Sequence, residues 1–132
     1  MITQPSETPK TILLVEDEGL VLLSLKMAFE EFNYRILTAT NGDDALQQYV
    51  HHKNEIDLVV TDMSMPGMDG MNLLAALRSQ SPNLRVILMT GHLLDPDTLD
   101  IHEHKPTRCV TKPIGLDSLL QIVAEVLMRG HV

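Results

Sequence analysis

Asp62 closes an apolar, β-branched run, Ile56-Asp57-Leu58-Val59-Val60-Thr61, and is followed at once by the turn-rich stretch Met65-Pro66-Gly67-Met68-Asp69-Gly70. Such a run reads as a short buried strand. A carboxylate at the C-terminal end of a strand stands where open α/β sheets carry their chemistry. Other strand-like runs end in the same way. Thr11–Val15 leads into Glu16-Asp17-Glu18, Arg85–Met89 into Thr90-Gly91, and Cys109-Val110-Thr111 into Lys112-Pro113. Carboxylates crowded together repel one another unless a divalent cation sits among them. Mg²⁺ suits such a site, because it takes a few carboxylates and keeps waters and phosphate oxygens as its other ligands. An ionised Asp is also a nucleophile toward phosphorus and yields an acyl phosphate. Lys112 can hold one phosphoryl oxygen and Thr90 can donate to another. The set therefore fits phosphoryl transfer, which depends on positioning and electrostatics.

Taken singly, each residue has a plainer role open to it. Asp62 can cap a turn, Glu16-Asp17 can begin a helix, Thr90 can cap another, and Lys112-Pro113 can be ordinary loop. Their joint placement at successive strand ends is what points to chemistry.

The elements that must position these groups alternate along the chain. Periodicity predicts strands at Thr11–Val15, Arg35–Ala39, Leu58–Thr61, Arg85–Met89 and Thr107–Thr111. Helices are predicted at Gly19–Phe32, Gly42–Val50, Gly70–Gln80, Pro96–His104 and Leu116–Met128. Asn41, Asp69 and Asp95 are the expected N-caps, Asp43 and Asp44 favour the dipole of the second helix, and Ser81-Pro82 stops the third. In the last helix Leu116, Leu119, Leu120, Val123 and Leu127 share one face. Strands alternating with helices imply an α/β fold with a parallel sheet covered on both sides. The flavodoxin-like doubly wound order 2-1-3-4-5 then sets the first and third strands side by side, with Glu16 and Asp17 next to Asp62.

A chain of 132 residues fits one domain, and with aromatics at only 3% its core must be built from Leu, Val, Ile and Met. The formal charge of −8 argues against direct binding of nucleic acid through its phosphates. The single cysteine, Cys109, excludes an internal disulfide and makes the reducing cytoplasm the expected compartment. No apolar run reaches membrane-spanning length, so membrane insertion is not expected. The polar start Met1–Lys10 lacks a signal-peptide core and reads as a disordered leader or linker remnant, with the folded domain over 11–129. The pairs His51-His52 and His102/His104 lack ligand spacing on a helix and read as surface residues.

The combined pattern Val15-Glu16-Asp17-Glu18, Asp62 through Gly70, Met89-Thr90-Gly91 and Thr111-Lys112-Pro113 resembles the receiver domain of two-component response regulators, over nearly the whole chain. The resemblance implies that Asp62 is the phosphoacceptor. It implies that Asp17, Asp62 and the Ser64 backbone carbonyl ligate Mg²⁺, with Glu16 acting directly or through water. Thr90 becomes the switch hydroxyl, Lys112 the phosphate-pairing cation, and the Lys112–Pro113 bond is cis. Ser64 and His92, two residues beyond Asp62 and Thr90, fall where such domains modulate the lifetime of the acyl phosphate. The implied partner is a sensor histidine kinase or a histidine phosphotransfer protein. The chain is then no enzyme in the ordinary sense, catalysing only its own phosphorylation and dephosphorylation. No DNA-binding helix-turn-helix or catalytic output domain follows the last helix, which fits a stand-alone regulator or a receiver cut from a hybrid histidine kinase.

Three residues before Lys112, receivers usually carry Tyr or Phe as an inward-rotating lever, and here the position is Cys109. A cysteine on a strand is expected to be a small buried hydrophobe, which disfavours redox sensing. In the first helix Val21, Leu25, Ala28, Phe29 and Phe32 form the expected core stripe. Leu20, Leu23 and Met27 form a second stripe on roughly the opposite side, expected to be exposed and to dock the partner, with Leu22 a further candidate for that contact. Two rival readings fit the residues less well than a receiver does. A haloacid-dehalogenase-type phosphatase needs a second Asp where this chain has Ser64. A degenerate receiver that only binds protein conflicts with the intact Asp17, Asp62, Thr90 and Lys112.

Overall fold

The computed structural model describes residues 8–91 and 105–128. Five parallel strands, β1 (Thr11–Val15), β2 (Arg35–Ala39), β3 (Ile56–Asp62), β4 (Val86–Thr90) and β5 (Arg108–Thr111), form one sheet in the order β2-β1-β3-β4-β5. Among the described residues the helices are α1 (Gly19–Glu31), α2 (Gly42–His51), α3 (Gly70–Gln80) and α4 (Leu116–Met128). The helix expected over 96–104 and the residue His92 lie outside the described residues, as do His102 and His104. Residues 8–10 are exposed and belong to no element. No helix among the described residues is long and apolar enough to cross a membrane.

Side-chain alternation sorts the core into two layers. Ile12, Leu14, Leu58, Val60, Ile87, Met89 and Val110 face α1 and α4, where they meet Leu22, Phe29, Leu119, Leu120 and Val123. Their neighbours Leu13, Val15, Val59, Val86 and Leu88 face α2 and α3, against Ala45, Tyr49, Leu73, Leu74 and Leu77. Every strand but the edges is covered on both sides, so β1, β3 and β4 are apolar almost without interruption. Two of the expected caps, Asn41 and Asp69, are in place, and Asp95 lies outside the described residues. Asn41 Oδ1 accepts the Asp44 amide at 2.7 Å and Asp69 Oδ1 accepts the Asn72 amide at 2.8 Å.

β3 begins at Ile56, two residues before its predicted start, because Asp57 interrupts the apolar run without ending the strand. The β1–β3 ladder pairs Thr11 with Ile56 and Ile12 with Leu58, so Asp57 is passed over in a bulge. Its carboxylate accepts the Thr11 amide at 2.8 Å and satisfies the donor that the irregularity would otherwise strand.

Some expected core residues are not core. In α1 the buried positions are Leu22 and Phe29, with Leu25 and Ala28 half-buried. Val21 is exposed at the rim of the α1–α4 seam, one helical step of about 100° off the inward line. Phe32 lies past the end of the helix, and its ring sits at the surface beside Tyr34, Leu120 and Ala124. Leu116, the first residue of α4, is exposed above the core, whereas Val126 is buried within it. Cys109 is exposed rather than buried: alternation sends Val110 into the α1–α4 layer and turns Cys109 to the other face of an edge strand.

Candidate functional site

The switch point lies between β1 and β3, where the strand order reverses and a crevice opens beyond their carboxyl ends. Val15 pairs with Thr61, so the next residues along, Glu16 and Asp62, leave the sheet side by side. Carboxylate oxygens of Glu16, Asp17 and Asp62 all lie within 4.8 Å of one another. Glu16 is only 1% exposed, Asp62 is buried, and Asp17 faces solvent. The Glu16 amide is held by the Ala39 carbonyl at 3.1 Å, and its own Oε2 accepts the Glu18 amide at 3.1 Å.

From β5, Lys112 reaches over the crevice. Its backbone amide is fixed by the Thr90 carbonyl at 2.7 Å, and the Lys112–Pro113 bond is cis, as the resemblance implies. The ammonium stands 3.2 Å from Asp62 Oδ2 and 3.7 Å from Glu16 Oε1. The second distance is an ion pair but too long for a hydrogen bond, and Glu16 Oε1 is buried without a hydrogen-bond partner among the described residues. Burial pushes the Glu16 carboxyl above its ordinary pKa; the Glu18 amide opposes this, and the Asp62 charge adds to it. For Lys112, burial works toward a lower pKa. The hydrogen bond and charge of Asp62, joined by Glu16, outweigh it and hold the ammonium above the usual lysine value.

A buried carboxylate oxygen with no donor, two further carboxylates within ligand reach and an oxygen-only donor set are what a hard cation requires. The residues fit Mg²⁺. Ser64 is exposed in the loop after Asp62, and Thr90 is buried at the end of β4.

Gly70, not among the expected site residues, shapes the floor of the site. Its amide donates to the Met63 carbonyl at 2.8 Å. A Cβ there would stand 2.7 Å from the Asp62 carbonyl oxygen and 2.8 Å from Met63 Cα, closer than carbon tolerates. The first turn of α3 can thus press against the peptide that follows Asp62. The available signal was a glycine directly after a capping Asp, where a better helix former would ordinarily stand.

Beside the acidic cluster a cleft of about 500 Å³ runs along the α1–α4 seam, lined mainly by apolar side chains together with Glu16 and Lys112. Leu20, Leu23 and Met27 are 82%, 52% and 57% exposed, as expected, and Leu22 is buried beneath them.

An open, doubly wound sheet with clustered acids, a buried Thr and a Lys at its switch point is the arrangement that defines a receiver. The family model described as the response regulator receiver domain matches residues 12–124, and the chain belongs to that family. Among solved structures it is similar to a receiver domain from Clostridium thermocellum (TM-score 0.81, 30% identity, 91% of this chain and 95% of that one). It is also similar to the response regulator TrrA of Thermotoga maritima in complex with Mg²⁺–BeF (TM-score 0.77, 30% identity, 89% and 98% covered). The sporulation initiation phosphotransferase F of Bacillus subtilis is 34% identical over 88% of this chain and 92% of its own length. The transcriptional regulatory protein GlrR of Escherichia coli is 32% identical over 95% of this chain, which spans 28% of that protein. The sensor kinase CckA of Brucella abortus is 33% identical over 90%, and the chain spans 13% of it.

Proposed function

We propose that this receiver accepts a phosphoryl group on Asp62 from a phosphohistidine, in a Mg²⁺-dependent reaction, and thereby switches a surface read by a partner. The observation that carries the reading is the convergence of the Glu16, Asp17 and Asp62 carboxylates within 4.8 Å, with the Lys112 ammonium 3.2 Å from Asp62. The chain's likeness to a regulator captured with Mg²⁺–BeF supports it.

In this mechanism an Asp62 carboxylate oxygen attacks phosphorus as the bond from phosphorus to the donor imidazole breaks, and the electron pair stays with the imidazole nitrogen. Lys112 gives up its hold on the free carboxylate and pairs with a phosphoryl oxygen. Thr90 donates its hydroxyl to another. Glu16, Asp17, Asp62 and the Ser64 carbonyl would hold Mg²⁺, which supplies neutralisation of charge on the transferring group. Hydrolysis of the acyl phosphate by water returns the resting carboxylate, so the chain catalyses only its own phosphorylation and dephosphorylation. By the receiver resemblance, positions 64 and 92, here Ser64 and His92, set how long the acyl phosphate lasts.

The phosphodonor is a sensor histidine kinase or a histidine phosphotransfer protein, consistent with the kinases and phosphotransferase among the relatives. Leu20, Leu23 and Met27 form its docking surface. A lone cysteine and an acidic chain suit a cytoplasmic protein that does not bind nucleic acid directly. The test is incubation with acetyl phosphate and Mg²⁺, followed by intact-mass measurement. One base-labile phosphoryl group is expected, absent in Asp62→Asn and in the absence of Mg²⁺; full labelling of Asp62→Asn would overturn the assignment.

A further inference from the structure

The first turn of α2 lies against the loop that follows the phosphoacceptor. A Cβ on Gly42 would stand 2.7 Å from Met68 Cβ, 2.8 Å from its Sδ and 2.9 Å from its Cγ. Carbon and sulfur do not approach so closely, so the two elements meet only because position 42 has no side chain. Met68 belongs to the segment between Ser64 and the Asp69 cap. That segment is held from below by the buried Met65 and at its ends by the Gly70–Met63 and Asp69–Asn72 hydrogen bonds. Met68 is its contact with α2. The helix is itself fixed as a backstop, by the Asn41 cap at one end and by the Tyr49 hydroxyl bonded to Ser81 Oγ of the α3 end at the other.

We propose that Gly42 is a positioning residue for phosphoryl transfer. By letting α2 close on Met68, it holds the 63–69 loop where the Ser64 carbonyl lines up with the Asp62 carboxylate. The inference rests on the receiver reading above. A methyl at position 42 drives Met68 outward, and the loop, pinned at Met65 and at its ends, takes up that push by shifting the backbone at Ser64. Neither Gly42 nor Met68 touches the reacting atoms, so the effect travels through backbone placement alone.

The test uses the full chain and Mg²⁺ itself as the probe. In Gly42→Ala the Mg²⁺ dissociation constant should rise about tenfold, with amide shifts concentrated in residues 63–69. Labelling by acetyl phosphate should slow at low Mg²⁺ and recover at saturating Mg²⁺. Removing the whole Met68 side chain, Cβ included, in Gly42→Ala/Met68→Gly should bring the constant back to within about threefold of the parent, although Tm does not recover in step. Unchanged Mg²⁺ affinity in Gly42→Ala, or a double variant no better than the single one, would overturn the inference. Should Gly42→Ala fail to fold, Met68→Ile decides. Its branched carbon presses on α2 from the loop side and should weaken Mg²⁺ binding in the same direction; parent-like affinity counts against the idea. A parent protein that neither binds Mg²⁺ nor takes up phosphate would instead defeat the receiver reading.

Discussion

The Lys112 ammonium bridges two carboxylates unequally, hydrogen-bonding Asp62 at 3.2 Å and standing off from Glu16 at 3.7 Å. It is the cation that makes three clustered acids tolerable in the resting protein. Replacing it with Gln should destabilise the metal-free domain by about 1 kcal/mol, a buried-pair loss discounted for the partial exposure of the lysine. The pH dependence follows from the direction of its shift. A pKa raised in the folded state means that the lysine's contribution is fully present below the unfolded value and lost as pH rises through the folded one. Urea melts of parent and Lys112→Gln should therefore differ by a constant amount at neutral pH and converge only in the alkaline range above the usual lysine pKa.

Glu16 follows the same sign rule in the acid range, with the difference that its charged form is the one disfavoured by folding. Its folded pKa is raised by burial, so the stability its protonated form confers is present below the unfolded value of 4.5 and lost as pH rises through the folded one. Glu16→Gln removes that loss. Without metal, the variant should be more stable than the parent at pH 7.5, by on the order of 1 kcal/mol, with the gap closing toward pH 4. Added Mg²⁺ should reverse the ranking, because only the parent has the third carboxylate. Thermal melts at the two pH values, with and without Mg²⁺, measure both effects.

Leu23 and Met27 protrude from α1 while Leu22 is buried beneath them. Changing both to Lys should leave Tm within about 2 °C of the parent, as expected for surface positions. Labelling by acetyl phosphate should be nearly unchanged, while transfer from the cognate histidine protein slows more than tenfold. A large fall in Tm would identify the stripe as core and end the docking idea.

Cys109 replaces the aromatic lever and is exposed at the edge strand. Saturation with Mg²⁺ and beryllofluoride should shift amides around Thr90 strongly and those around Cys109 weakly, since a ligand shifts states only through differential contacts. Cys109→Tyr should enlarge the β5 response. Desolvation raises the thiol pKa although the residue is exposed, so Cys109 should alkylate slowly at neutral pH. Equal shift changes at both strands would show that switching does not need the lever.

Much of this was legible because local signals and global fold agree. Asn41 and Asp69 cap as their residue types dictate, and parity along β1, β3 and β4 sorts side chains between the two core layers. Legibility failed where neighbours offered equal hydrophobicity. Val21 and Leu22 are adjacent and both apolar, and only packing against the sheet selects Leu22. Phe32 reads as core by spacing, yet the helix ends before it. The close approaches at Gly42 and Gly70 are tertiary facts, since the absence of a side chain says nothing of what lies opposite.

The bulge at Asp57 acts as a vernier on the distant site. Paired without the skip, β1 would meet β3 one step out of phase, and Asp17 rather than Glu16 would stand opposite Asp62. Side chains alternate, so that slip would also exchange inward for outward along the whole strand. One passed-over residue at the foot of the sheet therefore selects which acid is sheltered and which faces water at its head. Insertions or deletions near Asp57 should silence phosphorylation from the far end of the molecule without altering a single group that phosphate touches.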